Sequence, residues 1–361
     1  MNTIIVGGGV AGAAAACLLG PDALLIERET AAHDKICGEF LSWEAQEYLS
    51  RLGLDLAAFG AAPIDRVRLV HRGEVAEAAL PFRGLGLTRR VVDEALLQHA
   101  ASRGATVLRG HAVRGFSDGR IEVAGQGHLP AKRLFLATGK HDLRGLRRAP
   151  DRAPADWVGL KMYLTLAPAQ QEALAGFIEI MLFRGGYAGL QMVEGGRANF
   201  CLLLDRTRFQ HAGRSWAGVA QMLSEECSHI ARRLAGSVAL LPQPLSIYRI
   251  PYGFLHRPSG ADRDAVFRLG DQVGVIPSFC GDGVSIALHS AFAAVNAGAD
   301  TGSYYRRMSR EAGRPIRQAG RLYAAGQFMP GLAVRMAQYW PGALRWIARL
   351  TRLSPTALRS N

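Results

Sequence analysis

The run NTIIVGGGVAGAAAACLLG, residues 2–20, restricts this chain to a small set of folds. Thr3–Val6 is a short β-branched stretch without polar alternation, as expected of a strand covered on both faces of a parallel sheet. It runs into Gly7-x-Gly9-x-x-Gly12 and then an alanine-rich segment of helical composition. Glycines at this spacing permit a tight turn, close approach of a pyrophosphate, and close helix–strand packing, with the helix N-terminus aimed at the phosphates. A second hydrophobic run, ALLIE, ends in Glu27, twenty residues after Gly7. An acid at that distance binds the adenosine ribose hydroxyls. Together these elements predict a dinucleotide site, with Gly7, Gly9, Val10, Ala11 and Gly12 on the phosphates and Glu27, Arg28 and Lys35 beyond the second strand. A glycine-rich loop of an unrelated α/β protein leaves Glu27 unexplained.

A nicotinamide dehydrogenase needs only this half of the pattern, but a second glycine-rich signature lies far downstream. In FRLGDQVGVIPSFCGDGVSIALHSA, residues 267–291, a strand ends at Gly270-Asp271, and a loop leads to Gly281-Asp282-Gly283-Val284 at a helix start. Asp271 is placed to bind a ribityl hydroxyl. The helix N-terminus at Gly281, Gly283 and Val284 is placed to face a flavin, where its dipole stabilises negative charge.

These motifs resemble the FAD-dependent group that includes aromatic hydroxylases, flavin halogenases and geranylgeranyl reductases, over about residues 1–300. The resemblance also takes in LTRRVVDEALLQHAASRGA, residues 87–105, and implies that Arg89, four residues before Asp93, binds FAD phosphate or ribityl groups. It places Ala137, Thr138 and Gly139 at the rim of the FAD site, where related hydroxylases carry Ala-Asp-Gly-x-x-Ser-x-x-Arg. Here Thr138, Asp142 and Gly145 stand for the aspartate, serine and arginine. The turn is kept and the donor-docking chemistry is altered, with Lys140, Arg144 and Arg147 as a compensating basic patch. The implied cofactor is FAD, reduced by NAD(P)H or by a reductase.

The expected fold is α/β: a Rossmann FAD-binding domain of the glutathione-reductase type, a mixed β-sheet substrate domain, and a C-terminal helical extension. The boundaries expected are 1–155 with 260–300 for the FAD domain, 156–259 for the substrate domain, and 301–361 for the extension. Residues 66–79 read as a strand pair, 90–103 as a helix, and 214–235 as a helical insert among β-rich segments such as VGLKMYLTL and ANFCLLLD. Five scattered cysteines form no CxxC pair, which excludes a disulfide framework and a zinc site and points to a reducing compartment. No metal-binding histidine pair, GxSxG elbow or P-loop is present, so the chemistry is assigned to the cofactor. The uncharged run Thr3–Pro21 lacks a basic leader and is read as the nucleotide fold rather than a targeting segment.

Three segments supply candidate chemistry. KICGEFLS, residues 35–42, offers Cys37 as a flavin or substrate contact and Glu39 as an acid or base, or else a packed small thiol and a carboxylate that orders the loop; related reductases carry a similar Lys-x-Cys-Gly segment near the flavin. SIYRIPYG, residues 246–253, overlays the halogenase Trp-x-Trp-x-Ile-Pro motif, but Ser246 and Tyr248 replace the tryptophans, which argues against halogenation. Tyr248, Arg249 and Tyr252 are candidates for the substrate chamber, with Arg249 as a catalytic residue. GYAGLQMV, residues 186–193, overlays the reductase Tyr-x-Trp-x-Phe-Pro motif; Tyr187 fits, whereas Gly189, Gln191 and Met192 replace Trp, Phe and Pro. The expected substrate is therefore a hydrophobic small molecule, aromatic or lipid-like, oxidised by a monooxygenase. The alternatives are an ene-reductase saturating an isoprenoid or polyene lipid and a non-catalytic flavin-binding redox sensor.

The net charge of +13 is concentrated at the end of the chain: from Thr301 onward there are eleven arginines and one acid, Glu311. WPGALRWIARLTRL, residues 340–353, spaces Arg345, Arg349 and Arg352 along one helical face beside Leu344, Trp346, Ile347 and Leu350. This is the pattern of a helix that lies on an anionic membrane, or of one packed on the FAD domain with its arginines in solvent. The apolar stretch Leu322–Val334 is too short to span one. No nucleic-acid reader motif accompanies the charge. The expected location is the cytoplasm, with association at a membrane surface.

Overall fold

The computed structural model describes residues 3–150, 156–263 and 266–359. The expected domain boundary at residue 155 lies outside the described residues. Five short strands form one all-parallel sheet in the order Val266–Arg268, Leu134–Leu136, Thr3–Val6, Ala23–Glu27, Thr106–Arg109. The first strand of the chain is thus central, with Val6 between Leu136 and Ile26. Strand order reverses on either side of it, which is the switch point where doubly wound sheets open a ligand crevice. The helix Val10–Leu19 packs between Arg89–Ser102 and Gly283–Asn296. Its residues Ala13–Ala16 are fully buried, and only side chains this small let three helices close over the crevice floor.

A second sheet of nine strands crosses above the first. Its central strands Trp157–Thr165, Ala198–Asp205, Gly186–Met192 and Gly176–Phe183 come from the β-rich middle of the chain. It continues through Ala62–His71, Glu74–Gly86 and Phe40–Leu41, so residues 40–86 of the first segment and 157–248 of the second share one hydrogen-bonded sheet. Side chains alternate between its faces with period two. Leu160, Met162, Leu190, Phe200 and Leu202 point to a core covered by the helices Trp216–Glu226 and Ser228–Leu234. On that side the buried Glu179 carboxylate joins Arg68, His229 and Arg233; despite burial, His229 and Arg233 hold it down to about 2. The other face, carrying Gly159, Lys161, Cys201, Gly189 and Ile180, looks toward the first sheet.

The remaining chain forms the helices Thr301–Glu311, Gly313–Phe328, Pro330–Tyr339, Pro341–Leu350 and Pro355–Arg359. Proline sits at the first turn of Pro330–Tyr339 and Pro341–Leu350, where its missing N–H costs nothing. Among the described residues no helix is long and apolar enough to cross a membrane, and no group of His, Cys, Asp and Glu is arranged to hold a metal ion.

Candidate active site

A single cleft of about 780 Å³ runs between the two sheets, within the range of small-molecule and cofactor sites. Its floor begins at the glycine loop. Gly7 has φ +105°, and a Cβ there would stand 2.5 Å from the Ala137 carbonyl oxygen; a Cβ at Gly12 would run into the Gly7 carbonyl. The loop can therefore be built only with glycine at both positions. Glu27, at the end of the neighbouring strand, is buried, and its carboxylate accepts the amides of Gly8 at 2.5 Å and Glu29 at 2.9 Å. That fixes one carboxylate edge at the cleft wall, as a ribose contact requires.

Above the loop sits a cationic cap that the spacing of Arg89 and Asp93 foreshadows. Arg89 pairs with Asp93 in bidentate fashion at 2.8 and 2.9 Å, and Lys35 reaches the same carboxylate at 2.7 Å. Although burial works against its charge, Arg89 and Lys35 hold the Asp93 carboxyl below the usual range. A Cβ on Gly9 would be 3.2 Å from the Arg89 guanidinium and 3.5 Å from the Lys35 ammonium. Two cations with one acid thus overhang the bare Gly9 backbone.

Two helices begin at the cleft, Val10–Leu19 and Gly283–Asn296, and neither has a side chain capping its N-terminus. Their first amides have no intrahelical partner, so both starts present donors to the crevice. Asp282 precedes the second helix without capping it; its carboxylate instead accepts the Leu353 amide at 3.2 Å and lies 3.7 Å from Arg352. Gly281 has φ +69°, and a Cβ there would sit 2.7 Å from the Phe40 ring.

The sequence-predicted cofactor residues converge here. Gly7, Gly9, Val10, Ala11, Glu27, Arg28, Lys35 and Arg89 line the cleft, as do Ala137, Thr138, Gly139, Gly270, Asp271, Gly281, Gly283 and Val284. Gly12 lies behind the lining and acts through its packing on Gly7. After Gly139 two of the three basic residues are committed, Lys140 donating to the Ile36 carbonyl at 2.9 Å and Arg144 pairing with Glu122, while Arg147 is exposed.

The segment 35–39 hangs between the sheets and is held from above. Lys161 donates to the Lys35 carbonyl at 2.9 Å, Asn199 to the Cys37 and Gly38 carbonyls at 3.0 and 2.9 Å, and Gln191 to the Glu39 carbonyl at 2.8 Å. The Glu39 carboxylate meets Lys161 at 2.6 Å, the Tyr163 hydroxyl at 2.8 Å and the Arg89 amide at 2.8 Å. Burial raises the Glu39 carboxyl above its ordinary value, while Lys161, Arg89 and Tyr163 pull against that rise. All of its capacity is spent on structure, so Glu39 is an anchor with φ +60° rather than a free acid or base. Cys37 does line the cleft, as does Cys201, whose thiol burial pushes up to about 11.

Beyond this loop the cleft turns apolar, with Ile178, Ile180, Ile247 and Phe279 on its walls. Tyr187 and Tyr252 line it as expected. Their hydroxyls are hydrogen-bonded to each other, and Tyr252 also meets Ser278 at 2.7 Å. Burial raises Tyr187 and brings Tyr252 to about 12, so both remain neutral phenols. Behind them Tyr323, from the helix Gly313–Phe328, packs against Trp157, Tyr187, Tyr252 and Phe279. The C-terminal extension thereby closes the chamber.

Two further expectations do not hold. Tyr248 and Arg249 are exposed and do not line the cleft. Ile247 faces inward against Gly159, and strand alternation turns Tyr248 outward, where it bonds Arg206 at 3.2 Å. Arg249 lies over the Tyr248 ring at 5.5 Å, on the same outer side. Conversely, Lys161, Tyr163 and Asn199 belong to no motif in the sequence, and Gln191 stands out there only as a departure from the reductase motif. The available signal was a lone lysine in the apolar strand VGLKMYLTL, in phase with Gly159 and Tyr163.

Comparison with known proteins agrees with this geometry. Residues 1–131 match the family model described as FAD binding domain. No match to a curated protein sequence was found. Among solved structures, the flavin-dependent brominase Bmp2 aligns over 97% of this chain and 92% of its own, with TM-score 0.76 and 17% identity. A flavoprotein/dehydrogenase from Cytophaga hutchinsonii aligns over 100% and 98%, with TM-score 0.76 and 16% identity. The halogenase PltM, in complex with phloroglucinol and FAD, aligns over 99% and 90%, with TM-score 0.68 and 13% identity. At these identities the likeness is one of fold. Residues 1–131 are thus similar to an FAD-binding domain, and the whole chain shares the fold of these flavin-dependent halogenases and the flavoprotein/dehydrogenase.

Proposed function

We propose that this FAD-binding oxidoreductase is a monooxygenase acting on an apolar, aromatic or lipid-like small molecule. One observation carries the reading: a single cleft continues from the dinucleotide loop, past the segment 35–39, into a chamber walled by isoleucines and aromatic rings. The residues present fit the cofactor, since the glycine cradle, the Arg89–Lys35 cap, Glu27, Asp271 and two uncapped helix starts lie along one side of that cleft. Bound FAD would supply the electron transfer and the reaction with dioxygen. The chain's part is to hold the cofactor and exclude water. Tyr187, Tyr252 and Phe279 orient the substrate by ring packing and phenolic hydrogen bonds. The electron donor in this reading is NAD(P)H or a separate reductase.

The replacement of Trp, Phe and Pro by Gly189, Gln191 and Met192 favours oxygenation over ene-reduction. Gly189 leaves the roof of the cleft open, since a Cβ there would meet nothing closer than 3.7 Å. Holoprotein reduced by light without oxygen, then mixed with labelled dioxygen and a panel of phenols and prenylated arenes, tests the proposal. Label in the product supports it. A saturated, unlabelled product would replace it with the reductase reading, and no turnover in either regime would leave a flavin-binding sensor.

A further inference from the structure

The helices Pro330–Tyr339 and Pro341–Leu350 form a hairpin packed over the strands Ala62–His71 and Glu74–Gly86. Their inner faces are satisfied: Val334 and Ala337 are buried against Leu69 and Ala76, with Leu344, Ile180 and Leu182 at the edge. Their outer faces mix polar residues with far more apolar surface than a solvent-facing helix would carry. Leu332 is 51% exposed, Met336 54%, Trp346 56%, Trp340 60% and Tyr339 90%. Tyr339 and Trp340 form the corner between the helices, and the exposed Arg345 and Arg349 lie on the second one. Large apolar side chains grouped in this way on one surface mark an interaction site.

We propose that this hairpin docks the protein on the surface of an anionic lipid bilayer. Charge selects the partner. Residues 330–350 contain three arginines and no acid. The one acid of the entire extension, Glu311, is held by His289, Arg307 and Arg310, and among the described residues Arg335 alone of the three meets an acid, Glu74 at 3.0 Å. A second copy of the chain would bring the same arginines to the interface with no acid to receive them, which opposes a two-fold contact. Tryptophan and tyrosine rings beside arginine suit the headgroup boundary, where an amphipathic ring keeps its polar edge wet and its body in the acyl region. A nucleic acid would satisfy the arginines but leave Leu332 and Met336 without an apolar partner. The strand that walls the chamber with Ile178 and Ile180 also supports the hairpin through Ile180 and Leu182, so docking would place the chamber one layer from the bilayer.

The test is sedimentation of the full-chain holoprotein with vesicles of phosphatidylcholine alone, or containing about a third phosphatidylglycerol. The anionic vesicles should bind it and the neutral ones should not, with binding falling as salt rises and tryptophan emission shifting to the blue. Trp340→Ala/Trp346→Ala and Arg345→Glu/Arg349→Glu should each weaken partitioning by about thirtyfold or more, with bound flavin and circular dichroism unchanged. Equal binding to both vesicles, or to neither, overturns the proposal. It is also overturned if light scattering shows a dimer that the tryptophan variant dissociates, or if RNA but not lipid is retained.

Discussion

The ε-ammonium of Lys161 lies 2.6 Å from the Glu39 carboxylate, and neither side chain is exposed to solvent. The pair joins the roof sheet to the loop that carries Lys35 and Cys37. Removing one member leaves the other charge buried, which costs about 3–5 kcal/mol. Lys161→Met should therefore lower stability by that order in urea unfolding and reduce flavin retention, because the loop loses its anchor. Lys161→Met/Glu39→Gln should recover much of the loss, since no lone charge remains. If the double variant is as unstable as the single one, the pair is not the origin of the effect.

The glycine loop makes a sharper prediction about the cofactor than about the fold. Gly9 has an ordinary extended backbone and space for a small side chain, but any Cβ there points at Arg89 and Lys35. Gly9→Val should give folded protein with little bound flavin, measured as the ratio of flavin to protein absorbance. Asp271→Ala should act in the same direction. Full flavin occupancy in both variants would sink the cofactor assignment. Gly7→Ala is a different experiment, because φ +105° and the Ala137 carbonyl oppose it and folding itself should fail.

The contrast between these residues explains what was legible in the sequence. Gly7, Gly9, Gly12 and Glu27 work within one strand–helix–strand unit, so their spacing carries their role. Gly270-Asp271 and Gly281 repeat that logic within another short segment. Lys161, Gln191 and Asn199 serve the loop 35–39 across more than a hundred residues, and only sheet register brings them together. Tyr248 and Arg249 fall beside a recognisable motif, but a motif does not say which face of a strand looks inward. Ile247 takes that face because Gly159 opposite it leaves room.

Arg352 offers a test of how the tail is tied to the second helix start. Its guanidinium lies 3.2 Å from Glu44 and 3.7 Å from Asp282, and 4.0 Å from the Phe82 ring centre. Arg352→Ala takes the cation away from the buried Glu44 and Asp282 side chains and should cost about 3–5 kcal/mol. The same cluster sets a pH dependence. Burial, reinforced by Glu44, pushes the Asp282 carboxyl up from 3.8 to about 7, against the pull of Arg352. A carboxyl raised in the folded state binds its proton more tightly there than when unfolded. Its contribution to stability is full below 3.8 and is lost as pH rises through about 7. Thermal midpoints of Asp282→Asn should therefore fall less than those of the parent between about pH 4 and 7. Parallel slopes for the two proteins would remove Asp282 as the source.

Tyr323 separates the two things its side chain does. Its ring is the hub of the cluster behind the chamber, stacked on Phe279 at 6.2 Å and edge-on to Trp157 and Tyr187. Its hydroxyl is buried and has no hydrogen-bond partner among the described residues. A buried hydroxyl without a partner has lost its water and gained nothing in exchange, so deleting it should be neutral or stabilising by up to about 1 kcal/mol. Deleting the ring leaves a cavity between the C-terminal helix and the chamber wall, at a cost of about 3–5 kcal/mol. Tyr323→Phe should thus match or exceed the parent in thermal stability with unchanged turnover. Tyr323→Ala should be destabilised and should also widen the chamber, which on the monooxygenase reading proposed above raises KM for small arenes more than for bulky ones. Equal losses in the two variants would mean that the hydroxyl, rather than the ring, secures the helix to the chamber.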